Sequence, residues 1–144
     1  MFKFNRLALV LAVCVCVGIA LGAAIKIKDI TPYAGTEEAA TGGDGMAIFN
    51  YHPGNNETEA TVAITDFVPG VRYGTWVIPG GEVNVRENAN PAGNANWHGS
   101  FGFDLCLWNP DGITVIIWRD FDGNDERAVD GSEDVAEGWV ACPQ

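Results

Sequence analysis

Residues 96–108 read NWHGSFGFDLCLW and are the clearest guide to the fold of this 144-residue chain. Five large apolar residues stand at odd positions in this stretch, and polar or small residues stand at most of the even positions. The odd set is Trp97, Phe101, Phe103, Leu105 and Leu107, and the even set includes His98, Ser100, Gly102 and Asp104. Because successive side chains of a strand point to opposite faces, the alternation predicts one long strand with a buried face and a wet face. It also predicts that Phe101, Phe103 and Leu105 anchor the core.

Seven further, shorter runs are separated by clusters of Gly, Pro, Asn and Asp, which favour turns. The predicted strands cover residues 25–30, 45–51, 59–67, 71–78, 82–86, 113–119 and 135–142. Within 82–86, Val83 and Val85 are expected to face inward and Asn84 outward. Residues 36–44 are small and are predicted to form a loop. The fold class that follows is all-β: an antiparallel β-sandwich of about seven or eight strands, with a partly closed β-barrel as the alternative.

The start of the chain is predicted to be a signal peptide, residues 1–24, formed by an apolar helix. Lys3 and Arg6 precede a charge-free run that ends in small residues, as in secretory leaders. The alternative is an uncleaved membrane anchor, because about 20 apolar residues suffice to span a bilayer. A lipoprotein processing site at Cys14 is disfavoured because Val13 is not a small residue. Residues 25–144 are then a single domain, secreted or held at the cell surface.

The charge of the chain limits its partners. All 19 acidic residues follow Lys28 and only six of the eight basic residues lie beyond the leader, so the mature chain has a formal charge of −13. Such a charge repels phosphate backbones and anionic lipid surfaces. Nucleic acid is therefore excluded as a partner, and a membrane is expected only if the leader stays uncleaved.

Four cysteines are present, of which Cys14 and Cys16 fall in the leader. Two cysteines remaining in an exported domain predict one disulfide, between Cys106 and Cys142. A metal site or a catalytic thiol is the alternative, but neither of these cysteines has a histidine or a second cysteine close to it in the sequence.

Residues 59–73, EATVAITDFVPGVRY, resemble the strand, corner and strand of fibronectin type III and related immunoglobulin-like sandwich domains. An apolar residue, a proline and a tyrosine recur there at the spacing of Phe67, Pro69 and Tyr73. The resemblance implies that the Tyr73 hydroxyl bonds back to nearby backbone. The central position of the corner is similar to chordin-type and copper,zinc superoxide dismutase-like domains. Their strand after the corner bears histidines, whereas this one bears none, so dismutase activity is not expected.

An acidic segment near the C-terminus offers ligands for Ca²⁺. Asp120, Asp122 and Asn124 match positions one, three and five of a calcium loop, and Asp125 follows them. The match then fails, because Asp125 stands where such loops need Gly and Gly131 stands where they place a bidentate Glu. The alternative is a solvated acidic hairpin loop.

Five tryptophans form a second candidate site, since aromatic rings can lie flat against sugars. Trp97 belongs to the core face of its strand. Trp76, Trp108 and Trp118 are the candidate ligand-binding residues, and Trp139 is equally unassigned by the pattern. Core or sheet packing is the alternative for each of them.

Catalytic patterns are scarce in this sequence. No nucleophile elbow, phosphate loop or zinc-protease motif occurs, and His98 with Ser100 and Asp104 is the one grouping of catalytic residue types. Residues two apart on a strand stand about 7 Å apart, too far for a hydrogen-bonded relay. The predicted function is an exported, non-enzymatic structural or binding module for an unknown extracellular ligand or cell-surface component. The alternatives are a calcium-stabilised carbohydrate-binding domain and, third, a metal-dependent enzyme; no cofactor other than Ca²⁺ is suggested.

Overall fold

The computed structural model describes residues 24–83 and 86–144, which form two antiparallel sheets packed together as an all-β sandwich. Residues 1–23, with nearly all of the predicted leader, lie outside the described residues, as do Asn84 and Val85 of the predicted 82–86 strand. Within the described ranges, no helix has the length and apolar character needed to cross a membrane.

Ten strands and two short helices make up the described chain. In order they are β1 (Ile25–Ile27), β2 (Thr31–Pro32), α1 (Glu37–Ala40), β3 (Asp44–His52), β4 (Glu57–Thr65), β5 (Arg72–Ile78), β6 (Gly81–Glu82), β7 (Glu87–Asn88), β8 (Ala95–Phe101), α2 (Leu105–Trp108), β9 (Ile113–Arg119) and β10 (Asp134–Val140). The four-stranded sheet has the order β1-β3-β4-β8, and the six-stranded sheet has the order β2-β10-β9-β5-β6, with β7 also paired to β5. The predicted fold class is therefore confirmed.

The core lies between the two sheets and is lined by alternate residues of the long strands. Phe49, Val62 and Trp97 come from the four-stranded sheet, and Val77 and Val115 come from the six-stranded sheet. All five are at most 2% exposed. This period of two is the pattern that the sequence predicted for a sandwich with one wet face per sheet.

The predicted strand over residues 96–108 is wrong in its second half. Strand β8 ends at Phe101, and Asp104 then caps α2 by accepting hydrogen bonds from the backbone N–H groups of Cys106 (2.9 Å) and Leu107 (3.4 Å). Aspartate at such a position satisfies the free donors of a first helical turn, so a helix competes with the strand. As a result Leu107 is 76% exposed and Phe103 is only partly buried, although Leu105 remains in the core.

The predicted loop over residues 36–44 contains the other helix, α1. The Thr36 side chain caps it by accepting from the Ala39 N–H (3.2 Å). The helix buries Glu38, whose Oε1 accepts a hydrogen bond from the Tyr73 hydroxyl (2.7 Å) and lies 3.2 Å from the Arg119 guanidinium. The same Tyr73 hydroxyl accepts from the Val68 N–H (3.2 Å), which is the backbone bond that the sequence implied for this corner. Burial and the bond to Glu38 raise the pKa of Tyr73.

The predicted disulfide is confirmed. Cys106 and Cys142 are bonded, with their Cα atoms 5.6 Å apart. The bond ties α2 to the segment that follows β10. It therefore closes the end of the sandwich at which β9 begins and β10 ends.

Candidate functional site

The outer face of the six-stranded sheet, which points away from the core, carries an unusual concentration of apolar and aromatic side chains. Strand β9 shows the division clearly: Ile113, Val115 and Ile117 belong to the core, so Thr114, Ile116 and Trp118 face outward. A β-strand that faces solvent normally carries polar residues on its wet side. The outer face of β9 is mostly apolar, so it must either be covered by other groups of the protein or serve as a binding surface.

Strand register places three rows of side chains across this outer face. In the first row, Thr114 lies between Ile78 on β5 and Trp139 on β10. In the second row, Ile116 lies between Trp76 and Glu137. The third row pairs Gly74 with Trp118, which is followed by Asp134 on β10. We call the first two rows the outer-face strip; it consists of Trp76, Ile78, Thr114, Ile116, Glu137 and Trp139.

The third row is covered. Trp118 is 0% exposed: its ring lies so close to Gly74 that a Cβ atom there would be 2.3 Å from the indole. The Arg86 guanidinium lies 5.4 Å from the centroid of the same ring, in a cation–π arrangement. The prediction that Trp118 binds a ligand therefore fails on accessibility, because glycine on β5 lets the indole pack directly on the sheet.

The border between the covered row and the strip is formed by Arg127. Its guanidinium donates two hydrogen bonds to the Asp134 carboxylate, at 2.8 and 2.6 Å, and lies 5.6 Å from the centroid of the Trp76 ring. The bond to Asp134 is the main reason that the pKa of Arg127 is raised. Bidentate pairing fixes the guanidinium beside Trp76, which is itself half-buried.

The first row is open. Trp139 is 59% exposed and Ile78 is 43% exposed. The indole of Trp139 packs beside the backbone of Gly112, where a Cβ atom would lie 2.6 Å from the indole nitrogen. One edge of the ring is thus supported while much of its surface faces solvent.

At the Glu137 end of the second row, Tyr33 donates a hydrogen bond from its hydroxyl to Oε2 of Glu137 (2.9 Å). The pKa of Tyr33 is raised to about 12, mainly by partial burial and secondarily by the bond to Glu137. Like any tyrosine, the phenol is protonated at neutral pH and donates this bond. It holds the Glu137 carboxylate in one orientation on the strip.

The predicted candidate Trp108 lies outside the strip, whereas Trp139, which was not among the predicted candidates, lies on it. Trp108 is 69% exposed, but it lies on α2, where its ring packs against Phe103 with the centroids 5.0 Å apart. Trp139 occupies the most open place on the strip although the sequence left it unassigned. Its alternation with Glu137 on β10 shows that the two share a face, but only the register with β9 brings them beside Trp76.

The structure does not place the four predicted calcium ligands in one cluster. Asp120 and Asp122 lie together with the buried Glu133, and one carboxylate oxygen of each lies within 4.8 Å of the others. Asn124 and Asp125 have other contacts: the Asn124 side-chain oxygen accepts from the Glu126 N–H (2.6 Å), and Asp125 forms an ion pair with Arg72.

The six carboxylate oxygens of this acidic cluster, Asp120, Asp122 and Glu133, all accept hydrogen bonds. The donors are the backbone N–H groups of Gly123, Asn124, Asp125, Phe121 and Ala128 together with the Asn124 side-chain amide. The cluster offers the hard oxygen ligands that Ca²⁺ takes. These same bonds also fold the loop without an ion.

The histidine grouping that the sequence singled out is not assembled. His98 Nδ1 lies 3.0 Å from the Thr61 hydroxyl, and Asp104 serves as the helix cap of α2. His52 pairs with Glu59 at 3.2 Å on the β3–β4 hairpin. The described residues thus bring neither histidine into the relay that a nucleophile would need.

Comparison with known proteins adds no family to this description: no protein-family model matches the chain, and no curated protein matches it either. The outer-face strip and the acidic cluster are therefore the features of the molecule that bear on its function.

Proposed function

We propose that this protein is an exported, non-enzymatic binding module and that the outer-face strip is its binding surface. The observation that carries the proposal is the open row: Trp139 is 59% exposed on a strand whose neighbours hold it in place. Large aromatic side chains are the usual anchors of binding surfaces because they bury much apolar area at low entropic cost. A solvent-facing Trp beside a fixed carboxylate, Glu137, has both the apolar and the polar parts of such a surface.

Export is supported by two features. The leader has the charge and apolar pattern of a signal peptide. The Cys106–Cys142 bond is compatible with an oxidising compartment. Mass spectrometry of the protein recovered from culture medium and from membranes tests this part. Recovery of chains that begin near residue 25 from the medium is expected, and recovery of the intact leader in the membrane fraction would instead mean an anchored protein.

The binding role is tested with the cell envelope of the source organism. The purified mature protein is sedimented with isolated envelope material, alongside the variants Trp139→Ala and Trp108→Ala. Both variants remove an exposed tryptophan, but only the first removes one from the strip. Trp139→Ala is expected to weaken sedimentation about tenfold or more, whereas Trp108→Ala should leave it unchanged. Equal behaviour of the two variants, or no sedimentation of the wild-type protein, would contradict the proposal.

A calcium-stabilised carbohydrate-binding domain is the second candidate function, and the acidic cluster favours it. The loop that contains the cluster also supplies Arg127, whose guanidinium lies beside Trp76. An ion held by Asp120, Asp122 and Glu133 would therefore stabilise the loop that borders the strip. Metal analysis of the purified protein separates this candidate from a redox-metal enzyme, which would contain iron, copper or manganese instead.

A further inference from the structure

We infer that the ligand of the outer-face strip is an uncharged polysaccharide whose sugar rings expose apolar C–H faces, as β-linked glucans, xylans and mannans do. This inference rests on the proposed function and names its ligand class. Three properties of the strip support it: the positions of its two rings, the polar groups beside them, and its charge.

The two rings stand at a separation that suits a chain of sugars. Trp76 and Trp139 lie on strands that flank β9, and their partners on β9 are two residues apart. With strands about 4.8 Å apart and a rise of about 3.4 Å per residue, their Cα atoms are about 12 Å apart. A single small ligand cannot reach both rings, whereas one oligosaccharide chain can stack on Trp139 and contact the part of the half-buried Trp76 ring that Arg127 leaves open. The negative face of an indole attracts the weakly positive C–H bonds of a pyranose face.

The polar groups of the strip are suited to hydroxyl ligands. Glu137 and Thr114 lie in the same two rows as the rings, and a carboxylate and a hydroxyl are both acceptors for sugar O–H groups. The hydrogen bond from Tyr33 (2.9 Å) holds the carboxylate before any ligand arrives. Such preorganisation lowers the entropic cost of binding.

The charge of the surface selects an uncharged ligand. The mature chain has a formal charge of −13, and the strip itself carries Glu137. Arg127, the cation that borders the strip, is already neutralised by its two bonds to Asp134. An anionic polymer would therefore be repelled, and Arg127 would not offset the repulsion because it is already paired. A neutral polysaccharide would not be repelled.

The test uses the full mature protein and defined probes. Soluble oligosaccharides of β-linked glucose, xylose, mannose and N-acetylglucosamine are titrated while tryptophan fluorescence and heat are recorded, with polygalacturonate as the anionic comparison. At least one neutral series is expected to bind, with affinity rising with chain length until both rings are covered, and polygalacturonate should not bind. Trp139→Ala and Trp76→Ala should each reduce affinity about tenfold or more, Trp139→Phe should retain part of it, and Trp108→Ala should retain all of it.

Treatment of the envelope material separates failure of this inference from failure of the proposed function. If periodate, which destroys sugar rings, abolishes the Trp139-dependent sedimentation and protease does not, the ligand is a glycan. If protease abolishes it and periodate does not, the strip is a binding surface for a protein and the inference is wrong while the proposed function stands. Trp139-dependent self-association of the purified protein would identify a second copy as the occupant and would likewise overturn the inference. Absence of binding to all four neutral series would also overturn it.

Discussion

The two ends of the outer face differ in what holds them together. At the covered end, Trp118 packs on Gly74 under Arg86. On the core side there, the buried Tyr73 and Glu38 form a polar network with the partly exposed Arg119. At the open end, Trp139 and Ile78 face solvent, and the Cys106–Cys142 disulfide closes the sandwich. A covalent bond therefore accompanies the end where the side chains of the outer face are exposed. Aromatic residues with the same sequence pattern are thus structural at one end of the face and accessible to solvent at the other.

The strongest test of the comparison is a pair of tryptophan truncations. Trp118→Ala removes a fully buried ring and should lower the free energy of unfolding by about 3 to 5 kcal/mol. Trp139→Ala removes a mostly exposed ring and should change it by about 0.5 kcal/mol or less. Urea denaturation of both variants measures the difference. Similar losses from the two would show that the open end is as tightly packed as the covered end.

Removal of the disulfide tests what closes the open end. The bond joins residues 36 apart in sequence, so the double variant Cys106→Ala, Cys142→Ala should lose about 2 to 4 kcal/mol in the chain-entropy picture. Intact-mass analysis before and after reduction verifies the bond in the purified protein. Two thiols that react with an alkylating agent in the unreduced, folded protein would disprove its presence.

The polar network at the covered end is tested by Tyr73→Phe. The change leaves the Val68 N–H and the buried Glu38 carboxylate without the hydroxyl, and it should cost about 1 to 3 kcal/mol. Tyr51→Phe is the matched control, because the Tyr51 hydroxyl bonds an exposed Asn56 on the β3–β4 hairpin. If Tyr73→Phe lowers the free energy of unfolding no more than Tyr51→Phe does, the hydrogen bonds of the Tyr73 hydroxyl contribute nothing to stability.

A pH experiment examines the polar edge of the strip. The pKa of Tyr33 is raised to about 12 in the folded protein, whereas an unfolded chain has a tyrosine pKa of about 10. The folded state therefore holds the phenolic proton more tightly. Its contribution to stability is complete below about pH 10 and is lost as the pH rises from about 10 to 12. Tyr33→Phe should remove the titration step centred near pH 12 in the ultraviolet absorbance of tyrosinate. Persistence of that step would assign it to another tyrosine.

Calcium should have the smallest effect, at the acidic cluster. The carboxylate oxygens already accept hydrogen bonds from the protein. The dissociation constant for Ca²⁺ is therefore expected to be about 10⁻⁴ to 10⁻³ M, as in weak extracellular modules. Millimolar Ca²⁺ should then raise the melting temperature slightly by mass action, and Asp122→Asn should remove most of the rise. Sodium chloride at equal ionic strength is the control. An equal rise with both salts would show a solvated acidic loop without an ion site.

The sequence alone was sufficient for the properties that depend on short-range periodicity and composition. Alternation along residues 96–101 and 59–67, a nearly continuous apolar run over 113–118 and turn residues between the runs predicted the all-β sandwich. Two cysteines beyond the predicted leader predicted their bond. The pattern failed at residues 102–108, since a strand and a capped helical turn fit the same apolar spacing until Asp104 is seen to bond the next N–H groups. Short apolar runs are ambiguous in this way.

The accessibility of each tryptophan depends on contacts between residues that are distant in sequence. Trp118 and Trp139 both point outward from the same sheet, and nothing local to either distinguishes them. Trp118 is buried because Gly74, 44 positions away in sequence, stands beside it on β5, and because Arg86 lies over its ring. The acidic cluster likewise forms because the fold brings Glu133 beside Asp120 and Asp122, whereas Asp125 forms an ion pair with Arg72. Periodicity determines the face of a strand on which a side chain lies, but long-range register and the loops determine what covers that face.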